Sequence, residues 1–244
     1  LTVYDLPIYV QQFIRLWIWL VALGAVFIPL ERLFAVRRQP ILRKQFFTDL
    51  GYYFLNGMLV TLVLAVPFAA IATWARHLVP SSVQIWIAQL PFGVRVVLTM
   101  VVGEFGLYWG HRWTHEIPWL WRFHAVHHSA EYVDWIVNIR SHPVDMTFQR
   151  ICGLIPLQIL GLANPFGRSF DWIALTVIFA GTYWGYFIHS NLKWRFGPLE
   201  YLIATPAFHH WHHTNDRPDY VDKNFAPMLP WMDWLFGTLY LPAS

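Results

Sequence analysis

Four stretches of this chain carry no acidic or basic side chain other than histidine: residues 16–30, 50–75, 151–167 and 172–192. A fifth, 96–111, carries only Glu104. A bilayer span needs about 20 mostly apolar residues, so these runs restrict the chain to a membrane-embedded fold. The spacing of charges predicts helices near 11–34, 48–76 and 92–115, then a helical hairpin near 147–165 and 169–190. Pro67 predicts a kink in the second helix. The 151–167 stretch is short for a full span and contains Pro156 and Pro165, which makes it a tilted, broken or re-entrant segment. The expected fold class is an all-α membrane protein of four to five transmembrane or membrane-embedded helices. It reads as one domain over 1–244, with a helical anchor at 10–110 and 147–190 and a polar helical cap at 111–146 and 191–240.

The chain is weakly basic, with a net charge of +3, but the charges sit where a membrane protein puts them. Arg32, Arg37, Arg38, Arg43 and Lys44 cluster between the first two predicted spans. Arg112, Arg122, Arg140, Arg150, Lys193, Arg195, Arg217 and Lys223 flank the cap segments, whereas Arg15, Arg76, Arg95 and Arg168 fall toward the other side. The positive-inside rule then places the cap in the cytoplasm and the N-terminus outside. The host would be a bacterial inner membrane or the endoplasmic reticulum. This distribution does not point to nucleic acid. Cys152 is the only cysteine, so no internal disulfide forms, and it reads as a small buried hydrophobe. No cleavable signal peptide is apparent.

Ten of the twelve histidines lie in two stretches, both in the cap. The first holds His111 and His115, then His124, His127 and His128, then His142; the second holds His209, His210, His212 and His213. Residues at i, i+3 and i+4 share a helix face, so each His-x-x-His-His triplet offers three imidazoles together, and neutral imidazole is the commonest side-chain metal ligand. A single site seldom takes more than six ligands, so this many predicts a dinuclear centre. His189 ends the last span facing the cap and is a further ligand candidate. His210 falls off the face shared by its neighbours, and His77 lies alone on the outer side. Thr205-Pro206 reads as a helix start ahead of the second triplet.

An all-histidine site needs acceptors for the outward ring N–H groups. The carboxylates available are Glu131, Asp134, Asp145, Asp216, Asp219 and Asp222. Glu104 lies on one helix face with Tyr108, His111 and His115 and is either such an acceptor or a partner of Arg95 or another polar neighbour in the bundle. Trp119, Trp121 and Phe123 read as an interfacial belt. There is no His-Glu-x-x-His and no Glu-x-x-His, which excludes a zincin and a carboxylate di-iron bundle. Imidazole suits zinc, copper, iron and nickel; of these, iron activates oxygen. A metal transporter would hold its ligands at the bilayer midplane, a bis-histidine haem protein needs no contiguous triplets, and an inactive relative would not keep every ligand.

These residues resemble the fatty acid hydroxylase/sterol desaturase superfamily of integral-membrane di-iron enzymes over about 105–240. The resemblance rests on Tyr108-Trp-Gly-His-Arg-Trp-Thr-His115, Leu120-Trp-Arg-Phe-His-Ala-Val-His-His-Ser129, Arg140-Ser-His-Pro-Val-Asp145, His189-Ser-Asn191 and His209-His-Trp-His-His213. The tail adds Asp222-Lys-Asn-Phe225 and Trp231-Met-Asp-Trp-Leu-Phe-Gly-Thr238. It implies two iron ions, with zinc as an alternative in isolated protein, bound by His111, His115, His124, His127, His128, His189, His209, His212 and His213, with His142 as a tenth candidate. It also implies O₂-dependent hydroxylation or desaturation of a membrane lipid or sterol. Electrons would come from a separate ferredoxin- or cytochrome b5-type carrier, as no cytochrome b5-like segment occurs within these residues. Two positions depart from the pattern. Ala226 replaces a usual glycine, and Gly185 stands where some members have another histidine.

Overall fold

The structure, a computed structural model, describes residues 5–162, 171–214 and 221–242. Its regular elements are helical: among the described residues the only β pairing is an isolated bridge between Ala35 and Leu192. Helix α1 covers Ile8–Phe34. Helix α2, Phe46–Leu59, runs through a π-type segment, Val60–Leu64, into α3, Ala65–Ala75, forming one rod over Phe46–Leu78. A short α4, Ser81–Ala88, precedes α5, Phe92–Glu116. The remaining helices are α6, Pro118–His128, α7, Pro143–Leu160, α8, Trp172–His189, α9, Pro206–His212, and α10, Trp231–Leu235.

Ile8–Phe34, Phe46–Leu78 and Phe92–Glu116 are long and apolar enough to cross a membrane. Only 11% to 22% of their most apolar windows is buried inside the protein, and side chains such as Val66, Leu33 and Val21 are largely exposed. So much open hydrocarbon is stable only against lipid. The chain is therefore an all-α membrane protein. Helices α7 and α8 have 18 residues each, and their connection, with Pro165 and Arg168, lies outside the described residues. Pro156 sits within α7, which nevertheless continues to Leu160 and ends at Gly161, whose φ of 66° suits a glycine cap. Pro67 lies in the first turn of α3, just past a π-type segment. The missing donor follows the π-type turn at Val60–Leu64, which rearranges the hydrogen-bond ladder just before the proline.

Helices α5 and α7 approach each other closely at a seam of small residues. Gly106 lies so near α7 that a Cβ there would stand 2.2 Å from the Cys152 carbonyl oxygen, and one at Gly110 would stand 2.8 Å from the Cys152 Cβ. Gly103 meets Leu157 on the same seam. Small residues at this spacing let two backbones touch within a membrane. The contact sets α7, which carries Asp145, against α5, which carries His111 and His115. Cys152 is half-buried here as a packing residue with a free thiol.

The loop at 35–46 lies at the same end as the cap. Glu31 Oε1 accepts the amides of Trp135 and Asn191 at 2.9 and 2.8 Å. The Asn191 side chain accepts the Arg37 amide at 3.2 Å and donates to the Arg37 carbonyl at 2.7 Å. Arg43 reaches across to Asp134 at 2.7 Å.

Candidate metal centre

Nine of the ten expected ligands converge. His111, His115, His124, His128 and His212 form one group, and His127, His189, His209 and His213 a second; within each, the candidate ligand atoms all lie within 4.8 Å of one another. The groups adjoin, with the His128 and His213 ring centroids 4.7 Å apart and those of His212 and His209 5.2 Å apart.

The triplets divide between the groups in a way that a shared helix face does not predict. In α6, His124 and His128 serve the first group and His127 the second. In α9 and its C-terminal cap the roles reverse: His209 and His213 serve the second group and His212 the first. The i, i+4 pair points into one site while the intervening residue, turned by about 60° or 100° from its two neighbours, reaches the other. Helix α9 begins as expected, with the Thr205 hydroxyl accepting the Phe208 amide at 3.2 Å and Pro206 in the first turn. His210 belongs to neither group, and its Nε2 is buried without a hydrogen-bond partner. His142 lies outside both groups. It caps α7 by accepting the Val144 amide at Nδ1, 3.2 Å away, and its ring lies 4.8 Å from Phe123.

Ring orientation is set by the outward nitrogens. Nδ1 of His111 donates to the Phe225 carbonyl at 2.7 Å, that of His127 to Arg140 at 3.0 Å, that of His189 to Gly185 at 2.7 Å and that of His212 to Lys223 at 2.8 Å. Two rings use carboxylates: His124 meets Asp145 at 3.1 Å and His115 meets Asp222 at 2.9 Å. Carbonyls and carboxylates only accept, so each of these six rings carries its proton on Nδ1 and, when neutral, a bare lone pair on Nε2. Yet Nε2 of His111 and His124 are 3.2 Å apart, as are those of His127 and His189. Nε2 of His115 and His212 are buried with no hydrogen-bond partner. Opposed lone pairs at that separation repel unless a cation lies between them. At the His127–His189 pair a second ring proton does not resolve this. Burial, followed by the charge of neighbouring imidazoles, holds His127, His128, His209, His212 and His213 well below the ordinary histidine pKa. The donor set therefore fits two imidazole-bound metal ions.

Of the six carboxylates expected around the site, Asp145 and Asp222 take the role. Glu131 pairs instead with Lys44 and Asp134 with Arg43, while Asp216 and Asp219 lie outside the described residues. Glu104 meets neither a histidine nor Arg95 but other polar neighbours: its Oε1 accepts the amides of Met228 and Leu229, the latter at 2.8 Å, so it fastens the returning tail to α5. Asp145 is itself held by Ser141 at 2.8 Å and Gln149 at 2.9 Å. Asp145→Asn is expected to weaken metal binding in the first group by about 10- to 100-fold, as lost outer-shell support typically does. Chelator competition measures this, and unchanged affinity would refute the role.

Sequence reasoning missed the backbone acceptors. Asp222 and Asn224 have φ of 58°, a conformation these short polar residues tolerate. It turns the loop so that Asp222, Lys223 and Phe225 all address histidines. Asn224 locks the loop, donating to Phe208 and Tyr240 carbonyls at 3.0 and 2.9 Å and accepting the Tyr240 amide at 2.7 Å. Asp233 accepts the Phe225 and Ala226 amides at 2.7 and 2.9 Å. Trp121, expected as an interfacial anchor, packs on the centre, its ring 5.1 Å from His115 and 5.5 Å from His128. Gly185 has a steric reason: a Cβ there would lie 2.8 Å from the Asn138 side chain.

The fatty acid hydroxylase family profile matches residues 96–238, which contain every histidine of both groups. The chain belongs to the fatty acid hydroxylase family. An ornithine lipid hydroxylase from Rhizobium tropici is 36% identical over 80% of this chain and 58% of its own. An alkylglycerol monooxygenase from Danio rerio is 34% identical over 58% of this chain and 29% of its own. A Delta(7)-sterol-C5(6)-desaturase from Nicotiana tabacum is 26% identical over 65% and 54%. The alignments thus cover between about a third and three-fifths of these curated fatty acid hydroxylase family relatives. No solved structure matches the chain.

Proposed function

We propose that this protein is an iron- and O₂-dependent hydroxylase of a membrane lipid or sterol. The observation that carries the reading is the set of opposed Nε2 lone pairs in two adjoining imidazole groups, within a family whose relatives here are named as lipid hydroxylases and monooxygenases. Two iron ions bound by the nine histidines would activate O₂ for attack on an unactivated C–H bond. The chain's own part is positional. Asp145, Asp222 and the carbonyls of Arg140, Gly185, Lys223 and Phe225 retain the Nδ1 protons and so keep each Nε2 aimed inward. The buried rings exclude water from the centre, and the open apolar faces of α1 to α3 keep it beside lipid. Electrons would come from a separate ferredoxin- or cytochrome b5-type protein. The sterol desaturase relative supports desaturation as a second outcome of the same centre.

The test is to supply reconstituted, iron-loaded protein with a reductase, a carrier and membrane lipid extract, and to follow O₂ uptake and lipid mass. A gain of one oxygen atom is expected, loss of two hydrogens would assign desaturation, and no lipid-dependent O₂ uptake would refute both. The centre is proposed to face the cytoplasm. A cysteine introduced near Arg38, at the histidine end, should resist an impermeant reagent applied to intact cells, while one near Ser82 should react. The reverse pattern would invert the topology.

A further inference from the structure

Helix α2 belongs to a rod long and apolar enough to cross a membrane, yet it turns polar side chains inward. Asp49, Tyr53 and Asn56 are its buried residues, and at spacings of four and three they share one face. Polar groups within a span normally face a partner. Tyr53 donates to the Leu16 carbonyl at 2.7 Å and so serves α1. Asn56 serves the cap instead. It is 1% exposed, and its Nδ2 donates to the Ser141 carbonyl at 2.9 Å and to the Ile139 carbonyl at 3.3 Å. Both neighbours only accept, so the amide must face them with its nitrogen. Its Oδ1 has no hydrogen-bond partner among the described residues, which leaves donation as the polar role of this side chain.

The two carbonyls flank Arg140, in the link between the 3₁₀ turn Trp135–Ile139 and α7. Such a link has no repeating ladder to satisfy and fix its main chain, so donors from elsewhere do so. Asp49, two turns before Asn56 on the same face, accepts from Nε of the Arg140 side chain. Helix α2 therefore grips the link by one guanidinium and two carbonyls. The link in turn supports both histidine groups. The Arg140 carbonyl accepts Nδ1 of His127, in the second group, at 3.0 Å. The Ser141 hydroxyl donates to Asp145 Oδ2 at 2.8 Å, and the same oxygen meets Nδ1 of His124, in the first group, at 3.1 Å.

The partner of a ligating imidazole's outer nitrogen fixes the tautomer and the direction of the ring. We infer that Asn56 is a positioning residue for both metal sites. By fixing the carbonyls on either side of Arg140, it sets where the Arg140 carbonyl and the Ser141–Asp145 pair stand, and through them the aim of His127 and His124. Asn56 is neutral and binds main chain, so it acts separately from the charges of Asp49, Arg43, Arg140 and Asp134. This rests on the two-metal reading of the histidines and is independent of the reaction they support.

Asn56→Leu removes both donors at nearly constant volume, and Asn56→Ala removes them without added bulk. Tyr53→Phe is the control, because it deletes a buried donor on the same helix face that points to α1. Each protein in detergent is loaded with Zn²⁺ for chelator competition and with Co²⁺ for visible absorption, which reports ligand geometry. The groups are read apart by placing each substitution also in a His212→Ala chain, which keeps the second group whole, and in a His127→Ala chain, which keeps the first. Both Asn56 variants should weaken Zn²⁺ binding by about 10- to 100-fold in each group, as lost outer support of a ligand does, and should shift the Co²⁺ bands. Tyr53→Phe should leave affinity and bands at wild-type values even where its thermal midpoint falls as far. Wild-type affinity in the Asn56 variants overturns the inference. Equal weakening by Tyr53→Phe, which would mark a general loss of stability, overturns it too, as does weakening confined to one group. Should Asn56→Leu fail to fold, Asn56→Ala decides alone. Wild type that binds no Zn²⁺ defeats the two-metal reading and this inference with it, whereas tight wild-type binding matched by the Asn56 variants defeats this inference alone.

Discussion

Replacing His127 with alanine is expected to remove one metal ion per chain and abolish turnover, and the ion lost will be the one held with His189, His209 and His213. Replacing His212 will remove the other. Both follow from the exchange of ligands between the two triplets. His127 lies in the first triplet but faces His189 across 3.2 Å, and His212 lies in the second but packs on His111 with ring centroids 4.4 Å apart. Elemental analysis should fall from about two ions to about one in either variant. Pairwise combination tests the partition, because substitutions at one site do not add. His127→Ala with His209→Ala should still leave one ion, whereas His127→Ala with His212→Ala should leave none. A His127/His209 double variant without metal would refute the division. His210→Ala and His77→Ala should retain both ions.

The helices were legible because charge interruptions mark their ends. The first span, expected at 11–34, covers Ile8–Phe34, and the third, expected at 92–115, covers Phe92–Glu116. The helix expected at 147–165 instead starts at Pro143 and stops at Leu160. Its polar first turn, with Asp145, resembles a loop until His124 is seen to need an acceptor. The histidines were legible as residues, since the spacing of both triplets is local. Their division was not, because it depends on how α6 and α9 are rotated against each other, which α5, α8 and the 221–226 loop decide. Backbone acceptors leave no trace in side-chain identity. Only the left-handed Asp222 and Asn224 offered a signal, as turn-forming residues in a stretch otherwise read as a tail. The ion-pair network at the cap edge joins residues up to 91 positions apart, a separation that no local pattern spans.

That network supports the second large effect. Asp49→Ala is expected to destabilise the protein by about 3–5 kcal/mol, the usual cost of leaving one side of a buried ion pair uncompensated. Asp49, Arg43, Arg140 and Asp134 are all nearly inaccessible, and their four charges cancel. Asp49 Oδ2 accepts from Arg43 at 2.7 Å and Oδ1 from Arg140 Nε. Asp134 accepts from Arg43 Nε and from Nη2, which it shares with Asp49, both at 2.7 Å. Removing Asp49 leaves two guanidiniums against one carboxylate in a dry setting. The loss also reaches the metals, because the Arg140 carbonyl holds Nδ1 of His127. At about 2–4 °C per kcal/mol for a chain of this size, the thermal midpoint in detergent should fall by roughly 10 °C, and the second histidine group should bind metal more weakly than the first. Glu131→Ala is the matched control: it breaks the Lys44–Glu131 pair, whose side chains are 71% and 48% exposed, and should leave the midpoint in place. An Asp49→Ala protein that melts with wild type would mean that the buried charges are solvated in the membrane-bound protein. The carbonyl of Arg140 would then need a different anchor.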